Sequence, residues 1–325
     1  MEGGFRVRLA EPRDAESLVR LIERCYQGTY IDADALDATV VAERIRAGRV
    51  VFAITESPAG EALGAGALDV VNPWTAVFGR CVVDVEHRGR GMLTAIGRLL
   101  VHQVGPERGL RYMHSSAVAN HAFAQRHGVT LGGTASGLLL GRYPDETRMR
   151  GIEALPQPVS AAQLVFGHDP DPECRRLGLR GADLRRARRV LDAFEIPSLQ
   201  RRGRSPGQSA WRLEEHLAEG LAHFVPEDGG GELDFAACFD ARLVWVDVPS
   251  TDLDAQEQLD ALRASGFCFG AYLLGMGPAG QDVVRMQRYQ GATPIREGAL
   301  VLVEEFGETF RDVLADYRRS QVAVL

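Results

Sequence analysis

The chain has 325 residues, a length that suits two domains, and its hydrophobic content of 45% is enough to fill the cores of a globular protein. All 37 basic residues are arginine, and the absence of lysine excludes a Schiff-base lysine, a pyridoxal phosphate anchor and a P-loop lysine. The net charge of -7 argues against general affinity for nucleic acids.

The cysteines are scattered along the chain, without a C-x-x-C pair or a Cys/His cluster of zinc spacing. This distribution predicts reduced thiols and no metal site. The first residues lead directly into a charged strand and do not resemble a signal peptide, and no apolar run approaches the ~20 residues that cross a bilayer. We therefore expect a cytoplasmic protein that does not bind a membrane.

The first half of the chain alternates strands and helices in a readable order. Hydrophobic spacing predicts a strand, two helices and three strands, then a helix that stops at Gly105-Pro106, followed by a strand, a short helix and a last strand. The predicted strands cover residues 5–9, 50–55, 62–71, 76–85, 112–118 and 134–140, and the predicted helices start near residues 14, 33, 92 and 121. The expected fold class is therefore α/β.

The strand at 76–85 is followed by Arg88-Gly89-Arg90-Gly91, and an amphipathic helix starts at once. The first turn of a helix has free backbone N–H groups and a partial positive charge, so it favours anions. The glycines let the backbone approach phosphate oxygens and the arginines add charge. The turn matches neither a P-loop nor G-x-G-x-x-G, which fails at Thr94. It is either a pyrophosphate site or an arginine-rich turn that binds nothing.

This loop, together with the order of the elements, resembles the GNAT N-acyltransferases over about residues 5–145. Leu93 departs from the family pattern, because it replaces a small residue at the end of the motif. The resemblance implies a mixed central sheet flanked by helices, with acetyl-CoA or another acyl-CoA as co-substrate. It implies that Arg88, Gly89, Arg90 and Gly91 bind the pyrophosphate.

The resemblance also implies that the strand before the loop splays from its neighbour, so that Val83 and Val85 line the pantetheine arm and a backbone N–H there stabilises the oxyanion. His121 takes the place of an asparagine that often contacts CoA. Gly128 falls where many family members have a catalytic tyrosine. We therefore expect the CoA thiolate to leave without a tyrosine acid.

N-acyl transfer needs aligned substrates, a free amine and a group that takes the amine proton. The strand at 76–85 has no glutamate, so the candidate bases are Asp69 and Asp84, although Asp69 could simply end a strand and Asp84 could pair with Arg88 or Arg80. By the family resemblance Tyr26 and Tyr30 would lie over the acceptor cleft, or they cap the core. His114 is either a proton-transfer residue or a hydrogen-bonded core histidine.

We divide the chain into a GNAT-like acyl-CoA-binding domain at residues 1–150 and an α/β domain at 151–325. The second half is expected to contain strands at 159–166, 243–248, 267–274 and 283–287 and helices at 183–194, 253–264 and 308–319. It is either a degenerate GNAT copy or a distinct α/β domain. It has no Arg-Gly-x-Gly turn, so we expect one donor per chain.

Between residues 174 and 205 the sequence contains ten arginines and three acidic residues, so this segment has a net charge of +7. The segment is either a solvated helix face or a site for a polyanion such as tRNA or a carrier protein. The arginines are Arg175, Arg176, Arg180, Arg185, Arg186, Arg188, Arg189, Arg201, Arg202 and Arg204.

Two classes of function follow. The first is an N-acyltransferase that moves an acyl group from acyl-CoA to an amine of a small molecule or protein. The second is a GNAT-like protein that uses aminoacyl-tRNA or an acyl carrier protein as donor, or that only senses acyl-CoA.

Overall fold

The computed structural model describes residues 4–30, 32–144, 159–168, 174–201, 210–216, 220–227, 230–238 and 240–323. The strands are β1 (Arg6–Leu9), β2 (Val50–Glu56), β3 (Ala62–Asn72), β4 (Thr75–Val83), β5 (Tyr112–Val118), β6 (Thr134–Leu139), β7 (Ser160–Gly167), β8 (Arg175–Leu177), β9 (Ser198–Gln200), β10 (Trp211–His216), β11 (Leu221–Pro226), β12 (Leu243–Pro249), β13 (Cys268–Leu273) and β14 (Val283–Tyr289). The α-helices are α1 (Ala15–Tyr26), α2 (Ala38–Arg46), α3 (Met92–Gly97), α4 (Gly105–Glu107), α5 (Phe123–Thr130), α6 (Gly181–Ala193), α7 (Ala255–Ala264) and α8 (Gly307–Ala323).

Twelve of the strands form one mixed sheet in the order β1-β2-β3-β4-β5-β7-β6-β13-β14-β12-β11-β10. Only two neighbouring pairs in this sheet are parallel, β4 with β5 and β11 with β12. Strands β8 and β9 form a separate parallel pair. The predicted mixed α/β architecture is confirmed, while β8, β9, β10 and β11 have no counterpart in the sequence-based prediction.

The first half of the sheet extends beyond residue 150, the position proposed from sequence as a domain boundary. That position lies outside the described residues, but β7 follows it in the chain and pairs antiparallel with both β5 and β6. Residues up to Gly167 therefore belong to the first half of the sheet. The strand predicted at 159–166 is thus present as β7, but it pairs with strands of the first half, and the local sequence does not indicate which strands a segment will pair with.

Helices cover both faces of the first half. The apolar stripe of α1 buries Leu18, Leu21 and Ile22 against β2 and β3 on one face. On the other face Ile96 and Leu100 pack against Phe78 and neighbouring strand residues. These two cores hold β3 and β4 between helices, so the end of β4 has a fixed position.

The helix after the glycine loop does not stop at Gly105-Pro106, so that prediction is wrong. It continues from α3 through a π-helical stretch at Arg98–Val104 into α4, and the chain turns at Gly109, whose φ is +79°. Wider π spacing alters the hydrogen-bond pattern before Pro106, which has no N–H to donate. Gly105 is needed for packing, because a Cβ there would lie 2.4 Å from Cε of Met113.

The second half repeats the strand arrangement of the first. The order β10-β11-β12-β14-β13 has the same pattern of parallel and antiparallel neighbours as β3-β4-β5-β7-β6. Helix α7 connects β12 to β13 as α5 connects β5 to β6. Between β11 and β12 the described residues contain only a 3-10 turn at Phe235–Cys238, whereas the first half has α3 at the corresponding place.

The two halves are joined by buried hydrogen bonds as well as by the sheet. Antiparallel pairing of β6 with β13 brings Gly137 opposite Ala271. Nδ2 of Asn72 donates to the carbonyls of Gly275 and Gly277 at 2.8 and 3.1 Å. Nε2 of His114 lies 2.8 Å from the carbonyl oxygen of Leu274. Buried polar groups are costly when unpaired, so these contacts specify how the halves meet.

His114 is thus a hydrogen-bonded core residue, and burial lowers its pKa to about 4 from an ordinary value of 6.5. A lowered histidine pKa means that the unfolded chain binds the proton more tightly, so stability falls as the pH drops from 6.5 towards 4. We expect His114 to remove about 2 kcal/mol from the free energy of unfolding between pH 7 and pH 5. His114→Gln, which keeps an N–H donor for Leu274, should lose less stability over this interval in urea titrations.

The comparison isolates one residue, because burial also lowers the pKa of His127 and His223. Those histidines are present in both proteins and contribute equally. An identical pH dependence in wild type and His114→Gln would contradict the assignment.

Candidate active site

Strands β4 and β5 separate after a short parallel stretch. They pair from Thr75 with Tyr112 to Phe78 with Ser115, and beyond that point β4 follows β3 while β5 follows β7. A gap therefore opens between the two strands towards Val83. Val85 follows in a 3-10 turn and is 53% exposed. The backbone edges along this gap have lost one neighbouring strand and are available to a ligand.

A β-bulge in β4 lies next to the gap. The β3–β4 register passes from Ala65 opposite Val82 to Ala67 opposite Gly79, so β4 has one extra residue. Arg80 in the bulge has a left-handed φ of +51°, which is uncommon for a residue with a Cβ. The bulge turns the Arg80 side chain out of the regular alternation and into a cluster of charged groups.

Arg80 joins two carboxylates from different parts of the chain. Its Nε donates to both oxygens of Asp69 on β3 at 3.0 and 3.3 Å, and its Nη1 donates to Asp32 in the segment between α1 and α2. Burial opposes the charge, but hydrogen bonding and attraction from Asp69 together with attraction from Asp32 raise the pKa of Arg80 above its usual value. The guanidinium is therefore a permanent positive charge that holds two carboxylates beside the gap.

Tyr26 and Tyr30 lie together beside this cluster, with ring centroids 4.8 Å apart. Both rings are partly buried and pack against the α1 core. Burial raises the pKa of Tyr26 to about 12 and raises that of Tyr30 as well. At neutral pH both phenols keep their protons, so they can donate hydrogen bonds but cannot serve as bases.

The Arg88-Gly89-Arg90-Gly91 turn leads from the gap into α3. Gly89 and Gly91 have φ of +77° and +76°, which explains glycine at both positions, and the space beside their Cα atoms is open. Nε of Arg88 donates to the carbonyl of Val83 at 3.2 Å, and Nη2 of Arg90 donates to that of Glu86 at 3.4 Å. The turn is preformed, with both guanidinium groups on its exposed side.

Asp84 holds the shape of this turn. Its Oδ1 accepts from the backbone N–H of Glu86 at 3.2 Å, and its Oδ2 lies 3.3 Å from Nε of Arg24 on α1. The alternative pairing predicted for Asp84, with Arg88 or Arg80, is therefore wrong. Arg24 reaches it because α1 packs across the strand before the turn, a contact between residues 60 positions apart.

His121 lies between β5 and α5, where it is half-buried, and burial lowers its pKa. Its ring is 5.6 Å from the ring of Phe123, which is 78% exposed. Asn120 precedes it, and both polar atoms of the Asn120 amide are buried without a hydrogen-bond partner among the described residues. Asn120 was not predicted as a site residue, although an asparagine two residues after the end of a strand was a usable signal.

At Gly128 the place expected for a tyrosine is filled from the neighbouring strand. A Cβ at Gly128 would lie 2.2 Å from Oε1 of Gln163 on β7. Nε2 of the same glutamine donates to the carbonyl of Gln125 at 3.1 Å. A side chain at residue 128 would have to displace Gln163, so the glycine is required by packing.

The structure brings Tyr26, Tyr30 and Asp69 together near the bulge, and it places Asp84 in the glycine turn. Sequence reasoning missed Asp32 altogether and treated Arg80 only as a pairing partner. Gly79 inside a strand was a signal for the bulge. No local signal connects Asp32 to Arg80, because they are 48 positions apart and meet only in the folded chain.

Part of the arginine-rich segment pairs with carboxylates of the second half. Arg186 is 3% exposed and pairs with Asp183, Asp312 and Asp316. Nη2 of Arg189 pairs with Glu308 on α8. The remaining pairs are Arg175 with Asp282 and Arg180 with Glu257, while Arg176, Arg185, Arg188 and Arg201 are exposed and Arg202 and Arg204 lie outside the described residues. The segment joins helices of the second half and is not simply a solvated face.

The first half has the GNAT fold. Three features define it here: the strand order, a parallel pair of strands that separates, and a glycine turn at the start of the following helix. The expected fold class is confirmed.

Within the part of the chain that the structure describes, no group of His, Cys, Asp and Glu is arranged to hold a metal ion, and no helix has the length and apolarity needed to cross a membrane.

Solved acetyltransferase structures are similar to about half of this chain. Ribosomal-protein-S5-alanine acetyltransferase from Vibrio fischeri is 11% identical, with 52% of this chain and 96% of that chain covered and a TM-score of 0.41. Ard1 from Thermoplasma volcanium is 15% identical, with 51% and 99% covered and a TM-score of 0.40. Spermidine/spermine N-acetyltransferase SpeG from Vibrio cholerae is 15% identical, with 49% and 92% covered and a TM-score of 0.38. No protein-family model and no curated protein matches the sequence.

The internal pairing of Arg186 generates a stability prediction. Arg186→Ala leaves the carboxylate of Asp183, which is 2% exposed, without one of its cationic partners. Breaking a buried ion pair in this way costs about 3–5 kcal/mol, so we expect a loss of this size in the free energy of unfolding measured with urea. Arg188→Ala on the exposed face of α6 is the matched control and should change stability by less than about 0.5 kcal/mol. Equal effects of the two substitutions would disprove a structural role for Arg186.

Proposed function

We propose that this protein transfers an acyl group, most simply acetyl, from acyl-CoA to an amine. The observation that carries the proposal is the separation of β4 from β5 directly before the turn that holds Gly89 and Gly91. The gap suits an extended pantetheine arm, and the helix start behind it suits a pyrophosphate. Both features occur on one continuous segment, as a long donor molecule requires.

In this proposal Arg88, Gly89, Arg90 and Gly91 bind the donor pyrophosphate with backbone N–H groups and two guanidinium charges. Val83 and Val85 lie along the pantetheine arm, and a backbone N–H between them stabilises the oxyanion at the thioester carbonyl. His121 contacts the same arm from the start of α5. The buried amide of Asn120 lies next to His121 in the chain and is available to hydrogen-bond the arm as well.

Asp69 is the better candidate for the group that takes the amine proton. Its side chain is 34% exposed beside the bulge, whereas Asp84 is 17% exposed and uses its oxygens to shape the glycine turn. The second candidate from the sequence, Asp84, is thus better explained as a positioning residue for the turn. No tyrosine acid occupies residue 128, so the leaving thiolate takes its proton from solvent, which model thiol pKa values of about 8.5 allow.

We propose that the second half is a GNAT copy that does not bind a donor. Its parallel pair also ends after four residues, at Phe224 opposite Val246. The indole of Trp211 reaches across β11 at this end, and its Nε1 donates to the carbonyl of Asp247 on β12 at 3.1 Å. The side chain of Trp211 therefore fills the position that corresponds to the gap of the first half.

The donor proposal is tested with Gly91→Glu. A glutamate at a φ of +76° introduces a side chain and a negative charge where the pyrophosphate would lie, so acetyl-CoA binding should be abolished in isothermal titration calorimetry. Acetyl transfer to amines should be lost with it. Gly109→Glu is the matched control, because Gly109 has a φ of +79° with open space beside its Cα and lies after α4, at the other end of the helix that follows the glycine turn. Unchanged acetyl-CoA binding by folded Gly91→Glu would reject the proposed donor site.

Donor stoichiometry tests the proposal for the second half. We expect one acetyl-CoA per chain in wild type, because the Trp211 side chain fills the position that corresponds to the gap and the described residues between β11 and β12 form only a 3-10 turn in place of α3. Gly91→Glu should therefore reduce the stoichiometry from one to none. Two donors per chain, or one donor retained by Gly91→Glu, would contradict a donor-free second half and point to a second site.

A further inference from the structure

The cleft beside the bulge presents carboxylates to solvent and keeps its guanidinium inside. The side chains of Asp69 and Asp32 are 34% and 32% exposed, whereas that of Arg80, which lies between them, is 14% exposed. An incoming acceptor therefore meets two carboxylates before it meets a positive charge. Because the two carboxylates are more exposed than the guanidinium, the cluster attracts a positively charged ligand more than its composition alone would indicate.

The cluster also has a negative balance, since two carboxylates and one guanidinium leave one negative charge. The phenols of Tyr26 and Tyr30 are neutral. Arg88 is close enough to Tyr26 to oppose the rise in its pKa, but it also donates to the carbonyl of Val83 at the glycine turn, where the proposed donor pyrophosphate would balance its charge. The cleft thus favours a cation on electrostatic grounds, with aromatic rings beside it that add cation–π attraction.

Arg80 is poorly placed to receive an anionic acceptor. Its Nε and Nη1 donate to Asp69 and Asp32, so a carboxylate that approached the other N–H groups of Arg80 would lie against these two carboxylates. Like charges placed together oppose binding strongly. The left-handed backbone of Arg80 in the bulge fixes this arrangement, because the guanidinium direction is set by the strand and not by a mobile loop.

We propose, on the basis of the proposed acyl transfer, that the acceptor is an amine that arrives as an ammonium ion and has no carboxylate on the carbon that bears the nitrogen. Asp32 binds the ammonium, Asp69 takes its proton, and Tyr26 and Tyr30 contact the apolar part of the acceptor. Simple alkyl and arylalkyl amines fit this description. Free α-amino acids do not.

The transfer step balances in atoms and charge. The ammonium gives one proton to Asp69, which releases it to solvent, and the free amine attacks the thioester carbonyl carbon. The new C–N bond forms as the C–S bond breaks, and the electron pair of the C–S bond leaves with the CoA sulfur. The second amine proton ends on that thiolate through solvent. The products are the amide, CoA thiol and one proton.

The test uses pairs of acceptors that differ only in the carboxylate, with the full chain and acetyl-CoA. The pairs are butylamine with norvaline and tyramine with tyrosine. Initial rates of CoA thiol release and product mass give kcat/KM for each compound. We expect the amine of each pair to exceed its amino acid by at least ~10-fold, since like-charge contacts in a partly desolvated site are strongly unfavourable.

Variants connect this preference to the two carboxylates. Asp32→Asn should raise the KM for tyramine by ~10-fold through loss of a charged contact, with little change in kcat, and should narrow the tyramine-to-tyrosine ratio. Asp69→Asn should lower kcat by at least ~100-fold while acetyl-CoA binding is retained. Asp34→Asn is the matched control, because Asp34 lies in the same segment but pairs with Arg44 on α2.

The outcomes separate the acceptor inference from the proposed function. Absence of acetyl-CoA binding in wild type would reject the acyl transfer proposal. Binding of acetyl-CoA together with equal or faster acetylation of norvaline and tyrosine would overturn the acceptor inference alone. Binding of acetyl-CoA without acetylation of any of the four compounds would contradict both the acyl transfer proposal and the acceptor inference. An unchanged tyramine-to-tyrosine ratio in Asp32→Asn would also overturn it.

Discussion

The early end of the hydrogen bonding between β4 and β5 is the constraint on which the rest of this structure depends. Two parallel strands that stay paired leave no free backbone between them, and here pairing stops after four residues. The bulge at Arg80 makes this possible, because one extra residue lets β4 turn while it remains attached to β3. The same extra residue directs a guanidinium to the place where two distant carboxylates meet. The gap and the charged cluster therefore share one cause.

The second half has the same strand order as the first, but different side chains lie at the end of its parallel pair. A parallel pair again ends after four residues, but Trp211 covers the end and donates to β12. Asp247 on β12 is buried with Arg285 and His223, at 2.7 and 2.9 Å, where an open site would need water or ligand. Buried charges of this kind must be paired to be tolerated. This half pairs with β6 through β13 and accepts hydrogen bonds from Asn72, and it lies against His114 of β5.

In this chain, which has no lysine, some arginines are exposed at the glycine turn and others form buried ion pairs. At the glycine turn, Arg88 and Arg90 are exposed and only hold nearby carbonyls, so they are available to an anion. In the second half, Arg186 is buried and donates to both oxygens of Asp312 at 2.8 and 2.9 Å. The planar guanidinium can bridge several carboxylates at fixed angles. Net charge along the sequence does not distinguish these uses, and only the partners do.

The sequence by itself determined those features of the structure that depend only on residues within about twenty positions of each other. Hydrophobic spacing located the strands and helices of the first half, and the composition of Arg88-Gly89-Arg90-Gly91 indicated an anion site at a helix start. Asp69 was named because the following strand has no glutamate, and Tyr26 and Tyr30 were named from the family resemblance. Strands β8 to β11 were missed, and β8 and β9 have only three residues each, too few for a recognisable hydrophobic period.

The tertiary structure decided everything that requires a partner far along the chain. It placed β7 between β5 and β6, brought the indole of Trp211 across β11 to Asp247 on β12, and joined Asp32 to Arg80 across 48 positions. It also made Asp84 a support of the glycine turn through Arg24. The physical reason is that strand register and ion pairing are selected by the packing of the whole sheet, and a local segment carries no record of which distant residue will face it.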